Sequence, residues 1–557
     1  MFHTPSVLDP LRIEALYGDR LVPCYASRPR NLDAVLRASV ARRQDAPALE
    51  EGGRQLSYPE LDQAVNRVAT GLQAQGIQSG ERVALFMGNR LEYTVLLFGI
   101  WRLGAIAVPI GIRQSAQELE YMLNQCSASA LVVDSSLATR LPARAALPSV
   151  RRTIYCLDEG HPWPAAASLG KDDTLPAIAY EILLASGHDA PLPADFSDQQ
   201  PACIMYTSGT TGHPKGAVLS HLGFFHTAQH YHRRFGYQPD DRMLLVIPGT
   251  HISGLLAMVV VTMQVGACLV SLREFRCAEV LETLQACRIS ATVMVPAMYN
   301  LIVREPDLAQ RDLSAWRVGH FGGAAMPEVT IKRLAELFPQ LELYNGFGAT
   351  ETTSAVALTE RGDAARHPDS VGTLVPCVDI RILNPEGQEV PAGEAGELWI
   401  RSPGNAIGYW NNPEATRSAF VAGYWRSGDI GSVDAQGFVR VFDRIKDMIN
   451  RGGFKVYCVE LENVIQRFPG VIEVAAVASP CPVLGERVHI FVHASGPVAL
   501  EPLRAFCRDH VADYKLPDYV TVSPTPLPRN LNGKLVKAPL REQARALAAN
   551  APFPSKG

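Results

Sequence analysis

The sequence predicts an α/β protein: a large N-terminal domain of helix-covered mixed sheets plus a small barrel, followed by a small α+β C-terminal domain. Three observations predict it. Apolar runs alternate with amphipathic helical stretches through the first 340 residues, the pattern of parallel strands covered by helices. After Gly372 the texture changes to short strands separated by Gly and Asn-Pro turns, which suits a small antiparallel barrel or sheet. Near residues 443–447 it changes again, to a compact segment of roughly 110 residues with its own helices, large enough to fold alone.

The elements follow in order. Ser57 followed by Glu60 reads as a capping box. Leu61, Ala64, Val65, Val68 and Leu72 then recur at helical spacing, and Gly76 stops the helix. Residues 82–87 read as a buried strand, 93–103 as a helix and 105–109 as the next strand. Residues 244–272 carry no Asp, Glu, Lys or Arg and must be weighed as a membrane span. Pro248, Gly249, His251, Gly254, Gln264 and Gly266 interrupt the run, so strand 243–247, a loop, helix 252–265 and strand 267–271 describe it better. Strands 379–383 and 396–401 flank the turn 384–387, and helices over 459–467 and 502–511 belong to the last segment.

The totals bound the function. The chain has 557 residues, 47% hydrophobic and 19% charged, with a formal net charge of −4. This composition builds a core and gives no electrostatic case for a nucleic-acid partner. Eleven scattered cysteines form no CxxC pair and read as buried reduced thiols, pointing to a reducing compartment and hence the cytoplasm. Residues 1–10 lack a basic stretch followed by an apolar core, so no signal peptide and no transmembrane span are expected.

Residues 206–216 (YTSGTTGHPKG) follow an apolar strand. Three glycines let the backbone turn its N–H groups toward an anion, four hydroxyls add donors, and Lys215 adds a cation. A triphosphate needs this combination. The Walker A pattern does not apply, because Pro214 precedes Lys215 and Gly216 follows it where that motif has Gly and Ser/Thr. The ordered string resembles the phosphate-loop signature of the adenylate-forming (ANL) superfamily, which includes acyl-CoA synthetases, firefly luciferase and the adenylation domains of nonribosomal peptide synthetases.

Further motifs occur in the family's order, and the resemblance covers residues 31–540. It implies the following roles. Thr207, Ser208, Gly209, Thr210, Thr211, Gly212 and Lys215 cradle the phosphates. Gly323 and Ala324, in the string 322–325 (GGAA), form the loop beside the adenine. In 344–352 (YNGFGATET), Asn345 contacts the base edge and Phe347 stacks on adenine where a tyrosine is usual; Thr350 holds the α-phosphate and Glu351 ligates magnesium. Asp429, ending 423–429 (GYWRSGD), bonds the ribose hydroxyls with help from Arg444. Residues 444–446 form a hinge centred on Lys446, between a 1–443 domain that binds ATP and acid and a mobile 447–557 domain. Gly452 and Gly453, in 451–456 (RGGFKV), line the path of the CoA thiol. Asn450 stands where some relatives carry a lysine, a departure from the pattern. Lys534, ending 528–534 (PRNLNGK), bridges the acid carboxylate and the α-phosphate as charge builds.

His251, in 248–251 (PGTH), falls where relatives line the acyl pocket, with Phe224 and Phe225 on the helix 223–235 as further walls. His226 and His230 of that helix are spaced i,i+4 but have no acidic or cysteine partner, and no metal is expected there. No Arg or Lys lies within 224–231 or 250–264, which favours an apolar or aromatic acid over a dicarboxylate. Residues 457–463 (YCVELEN) resemble the variant seen in some carnitine- and fatty-acid-type CoA ligases. The implied reaction joins acid, ATP and CoA into acyl-CoA, AMP and pyrophosphate, with Mg2+ as cofactor. Two rivals stay open: an enzyme that loads a carrier protein in trans or oxidises its adenylate, and a non-catalytic acyl- or nucleotide-binding relative. A homodimer is also left open.

Overall fold

The computed structural model describes residues 10–158, 177–193, 195–207, 213–324, 326–529 and 535–550. Two large sheets dominate the N-terminal domain. The first has eight strands, in the order Gly408–Tyr409, Lys215–Ser220, Pro201–Thr207, Ile106–Pro109, Arg82–Phe86, Ala130–Asp134, Arg152–Cys156 and Ala177–Ala179. The second has nine, from Thr373–Leu374 through Ser354–Leu358, Glu342–Ala349, Val318–Gly322, Ala291–Met294, Arg242–Leu245, Cys268–Ser271 and Pro47–Glu51 to Arg54–Ser57. Central pairs are parallel and the edges antiparallel, except that edge strand Ala177–Ala179 runs parallel to Arg152–Cys156, so both sheets are mixed as expected.

The helices between these strands form where the sequence marks them. Helix Tyr58–Ala74 opens with a complete Ser57/Glu60 capping box. Its Leu61, Val65, Val68 and Leu72 are fully buried in the main core, and Gly76 takes φ +81 just past its end. Helix Leu91–Arg102 delivers Trp101 into that core, where its indole N–H donates to Ala202 O at 2.8 Å. The next residue, Arg102, is buried too. Its guanidinium donates to Asp33 at 2.6 Å, Asn66 at 2.7 Å and Asp62 at 2.7 Å, tying three helical segments together.

The apolar run 244–272 resolves into strand Arg242–Leu245, a loop, helical turns from Ile252 to Val265 and strand Cys268–Ser271. Its helical part is not uniform α-helix: Leu255–Val260 is π-helical between two short α segments. Among the described residues, no helix is long and apolar enough to cross a membrane.

The expected small barrel takes the form of an open antiparallel sheet. Asp379–Leu383 lies at one edge, followed by Gly396–Arg401 and Tyr424–Val433; Phe420–Val421 and Val439–Arg444 share the other side. A separate five-stranded sheet builds the small C-terminal domain, in the order Phe454–Val456, Ile449–Arg451, Gly485–Ala494 and Val471–Cys481, with Tyr519–Ser523 parallel to Gly485–Ala494. Helices Cys458–Ile465 and Leu500–Arg508 cover one core of this domain, and helix Lys537–Asn550 helps enclose a second.

Candidate active site

The two large sheets meet at the ends of their strands. Strand Pro201–Thr207 turns back as Lys215–Ser220, with Thr207 opposite Lys215. Residues 208–212 of the phosphate loop, hence Ser208, Gly209, Thr210, Thr211 and Gly212, lie outside the described residues. From the other sheet, strand Glu342–Ala349 runs into a single 3-10 turn, Thr350–Thr352, that carries Glu351. Thr207 Oγ1 donates to Glu351 Oε1 at 3.2 Å, so the two strongest motifs touch. Glu351 is buried, at 9% exposure, and its carbonyl accepts Ala406 N–H at 2.8 Å. Thr350 opens the same turn, half-buried. The backbone leaves the turn through two left-handed residues, Thr353 at φ +49 and Ser354 at φ +86. Such conformations are costly for residues with a Cβ and concentrate at functional sites.

One residue at this junction was missed by the sequence reading. Tyr409 donates its hydroxyl to Glu351 Oε1 at 2.9 Å, and the Lys215 ammonium lies 5.4 Å from the centre of its ring. Burial, then the Glu351 carboxylate, pushes the Tyr409 phenol well above its usual range, while Trp425 and Arg444 act the other way. No local signal in residues 408–413 (GYWNNP) marks the tyrosine.

The motifs expected beside an adenine are also neighbours. Gly322 pairs with Gly346 in parallel register, placing exposed Gly323 and Ala324 beside strand Glu342–Ala349. Phe347 is half-buried against a small cluster that includes Val356, Ile400 and Trp425. Asn345 is buried, and its side-chain amide donates to Ser370 O at 3.1 Å. Asp429 and Arg444 face each other across an antiparallel pair and form an ion pair at 2.9 Å, with Asp429 buried and the Arg444 side chain about half exposed.

Lys446 is exposed in the turn between the last strand of the open sheet, ending at Arg444, and the first C-terminal strand, starting at Ile449. Arg541 pairs with Asp447 in this turn, and Asp443 accepts Cys458 N–H at 2.7 Å across it. Gly452 and Gly453 are the two-residue turn of the hairpin Ile449–Arg451/Phe454–Val456, at φ +61 and +94. Positive φ at both central positions is the turn that matches strand twist, and only Gly, Asn or Asp adopt it readily. Lys534 lies outside the described residues. The residues on either side of 530–534 are held together by the Arg529–Leu535 bridge and a 2.8 Å bond from Val536 N to Pro528 O.

Of the residues expected to line an acid pocket, His251 caps the start of helix Ile252–Gly254 and is half-buried. Phe225 is partly buried, whereas Phe224 is fully buried in the main core against Trp101. His226 and His230 are buried and face Tyr25, which stacks on His226 at 4.9 Å. Burial lowers the His226 imidazole to about 3 and holds His230 well below its usual range, so both rings are neutral.

The AMP-binding enzyme family model matches residues 36–410, and its C-terminal domain model matches residues 460–534. The chain belongs to this adenylate-forming family. It is 34% identical over 511 residues to the long-chain-fatty-acid–CoA ligase FadD13 of Mycobacterium tuberculosis, covering 92% of this chain and 97% of that protein. It is 32% identical to a feruloyl-CoA synthase of Amycolatopsis, over 89% and 96% of the two chains. Among solved structures, it resembles the anthranilate CoA ligase AuaEII in complex with anthranoyl-AMP, with a TM-score of 0.85 and 26% identity over 93% of this chain and 98% of that one. ATP-bound MatB from Rhodopseudomonas palustris superposes with a TM-score of 0.81, at 27% identity over 94% and 100%.

Proposed function

We propose that this protein is an AMP-forming acid–CoA ligase acting on an apolar fatty or aromatic acid. The observation that carries the reading is the contact between Thr207 of the phosphate-loop strand and Glu351 of the second signature, two residues 144 positions apart. ATP is held by the 207–212 loop and Lys215, with its base beside Gly323, Ala324, Asn345 and Phe347, and its ribose at Asp429 and Arg444. The donor set suits a hard divalent cation: a carboxylate at Glu351 and a neighbouring hydroxyl at Thr350, next to the phosphates. Magnesium, when bound with ATP, neutralises phosphate charge.

The chain's own groups do the rest. The acid sits by His251 and Phe225, and its carboxylate attacks the α-phosphorus as pyrophosphate leaves. Lys534 and Thr350 steady the charge that builds on the attacking and α-phosphate oxygens. Positioning and electrostatics carry most of such a displacement. Rotation about Lys446 then withdraws Lys534 and presents the Gly452-Gly453 turn, past which the CoA thiolate reaches the acyl-adenylate carbonyl and AMP departs. The buried thiols support a reducing, cytoplasmic setting: nine of the eleven cysteines are buried and all are free.

The test separates the half-reactions. Lys534→Ala should lower acid-dependent pyrophosphate release by about 10²–10³-fold. It should leave conversion of a supplied acyl-adenylate and CoA to thioester nearly intact. Unchanged pyrophosphate release would refute the assignment of Lys534. A panel of straight-chain, aromatic and dicarboxylic acids, read by the same release, tests the apolar preference.

A further inference from the structure

We propose that Tyr409 is a positioning residue of the nucleotide site: its hydroxyl orients the Glu351 carboxylate and its ring seats the Lys215 ammonium. The proposal rests on the reading of Glu351 as the metal carboxylate and Lys215 as a phosphate-binding cation. Tyr409 belongs to the two-residue strand Gly408–Tyr409, hydrogen-bonded to the far side of Lys215–Ser220. Its own N–H donates to Thr416 Oγ1 at 2.9 Å, and the next N–H, of Trp410, donates to Gly216 O at 2.8 Å. The backbone under the ring is therefore pinned, and Phe420 buttresses the ring at 5.8 Å.

From that anchor the side chain reaches two charged groups. Its hydroxyl and that of Thr207 both donate to Glu351 Oε1, at 2.9 and 3.2 Å. Among the described residues no hydrogen bond reaches Oε2. A carboxylate held through one oxygen and open at the other is oriented for a single-oxygen contact to a cation, and such supporting hydrogen bonds are a regular feature of metal-binding carboxylates. The ring offers its π face to Lys215 within cation–π range. Among the described residues no ion pair joins Lys215 to Glu351. Tyr409 touches both, so each charge has a partner that leaves it available to the nucleotide. Without the ring and hydroxyl, the ammonium and carboxylate are free to neutralise each other.

The experiment measures binding without turnover, by calorimetry of metal-free ATP and of Mn2+–ATP in the absence of acid. Variants are Tyr409→Phe, Tyr409→Leu and Glu351→Gln, each checked for folding by thermal melting. Tyr409→Phe keeps the ring and loses one hydrogen bond to a charged group. It should bind Mn2+–ATP about tenfold more weakly, with metal-free ATP within about twofold of wild type. Tyr409→Leu should add a loss of about three- to fivefold for metal-free ATP. If Tyr409→Phe binds Mn2+–ATP like wild type while Glu351→Gln does not, the proposal falls and the reading of Glu351 stands. If Glu351→Gln also binds like wild type, that reading falls and takes the proposal with it. If Tyr409→Leu binds metal-free ATP as tightly as Tyr409→Phe does, the seating of Lys215 by the ring falls; should Tyr409→Leu not fold, Tyr409→Met takes its place in that comparison.

Discussion

Three imidazoles of the N-terminal domain, His221, His226 and His320, are buried, and burial lowers each from an ordinary value of 6.5 to about 3. The sign of the consequence is fixed. Between those values the unfolded chain binds a proton that the folded chain does not, so stability is complete above 6.5 and is lost as pH falls toward 3. Each ring should cost about 2 kcal/mol of stability at pH 5 relative to pH 7. The melting midpoint should therefore drop steeply between pH 7 and pH 5, and His226→Phe should flatten that drop. A midpoint indifferent to pH over this range would contradict the account. Residue chemistry of this kind is poorly legible in a sequence. His226 and His230 could be read as spaced for a metal, and only their placement against Tyr25 shows them packed as neutral aromatics. Glu351 was legible because a nine-residue string surrounds it, whereas Tyr409 donates its hydrogen bond to it from 58 positions away.

The elements were easier to read where local rules decide them. The capping box at Ser57 and Glu60 is present with both reciprocal bonds. Removing it by Ser57→Ala should cost about 1 kcal/mol, measurable by denaturant unfolding. Strands Asp379–Leu383 and Gly396–Arg401 match the reading to the residue, since Gly and Asn-Pro turns bound them. The stretch after His251 shows the limit. Its helical character follows from length and apolar content, but the π-helical turns Leu255–Val260 depend on packing against helix His221–Phe235 and strands Arg242–Leu245 and Ala291–Met294 of the nine-stranded sheet. Such turns are rare and frequently lie at functional sites. The proposed hinge is also an element-scale matter. Lys446→Pro should leave adenylate formation within about threefold of wild type and depress thioester formation at least tenfold, because proline fixes φ where rotation is needed. Equal loss of both half-reactions, followed by pyrophosphate and thioester assays, would argue against rotation at this residue.

At the scale of the molecule, stability rests on the core between the two large sheets and on a few buried charges that tie its parts together. Arg102 is the clearest. It is fully buried and satisfied by Asp33, Asn66 and Asp62 from segments up to 69 positions away. Arg102→Leu leaves the buried Asp33 without its principal cation and should destabilise the protein by about 3–5 kcal/mol in equilibrium or kinetic unfolding. Arg37 also reaches Asp33, on its outer side, so part of the charge stays compensated and the lower end of that range is expected.

The sequence by itself determined the α/β class, the succession of elements and the ordered strings proposed to hold the nucleotide. These depend on periodicity, capping and ordered strings within a few turns of chain. Only the tertiary structure decided which residues meet. It set Thr207 and Tyr409 on one oxygen of Glu351, paired Asp429 with Arg444, opened the expected barrel into a sheet and buried Phe224 in the core. The reason is physical: such contacts join groups distant along the chain, and they form only when burial of the sheets' apolar faces brings the strand ends together.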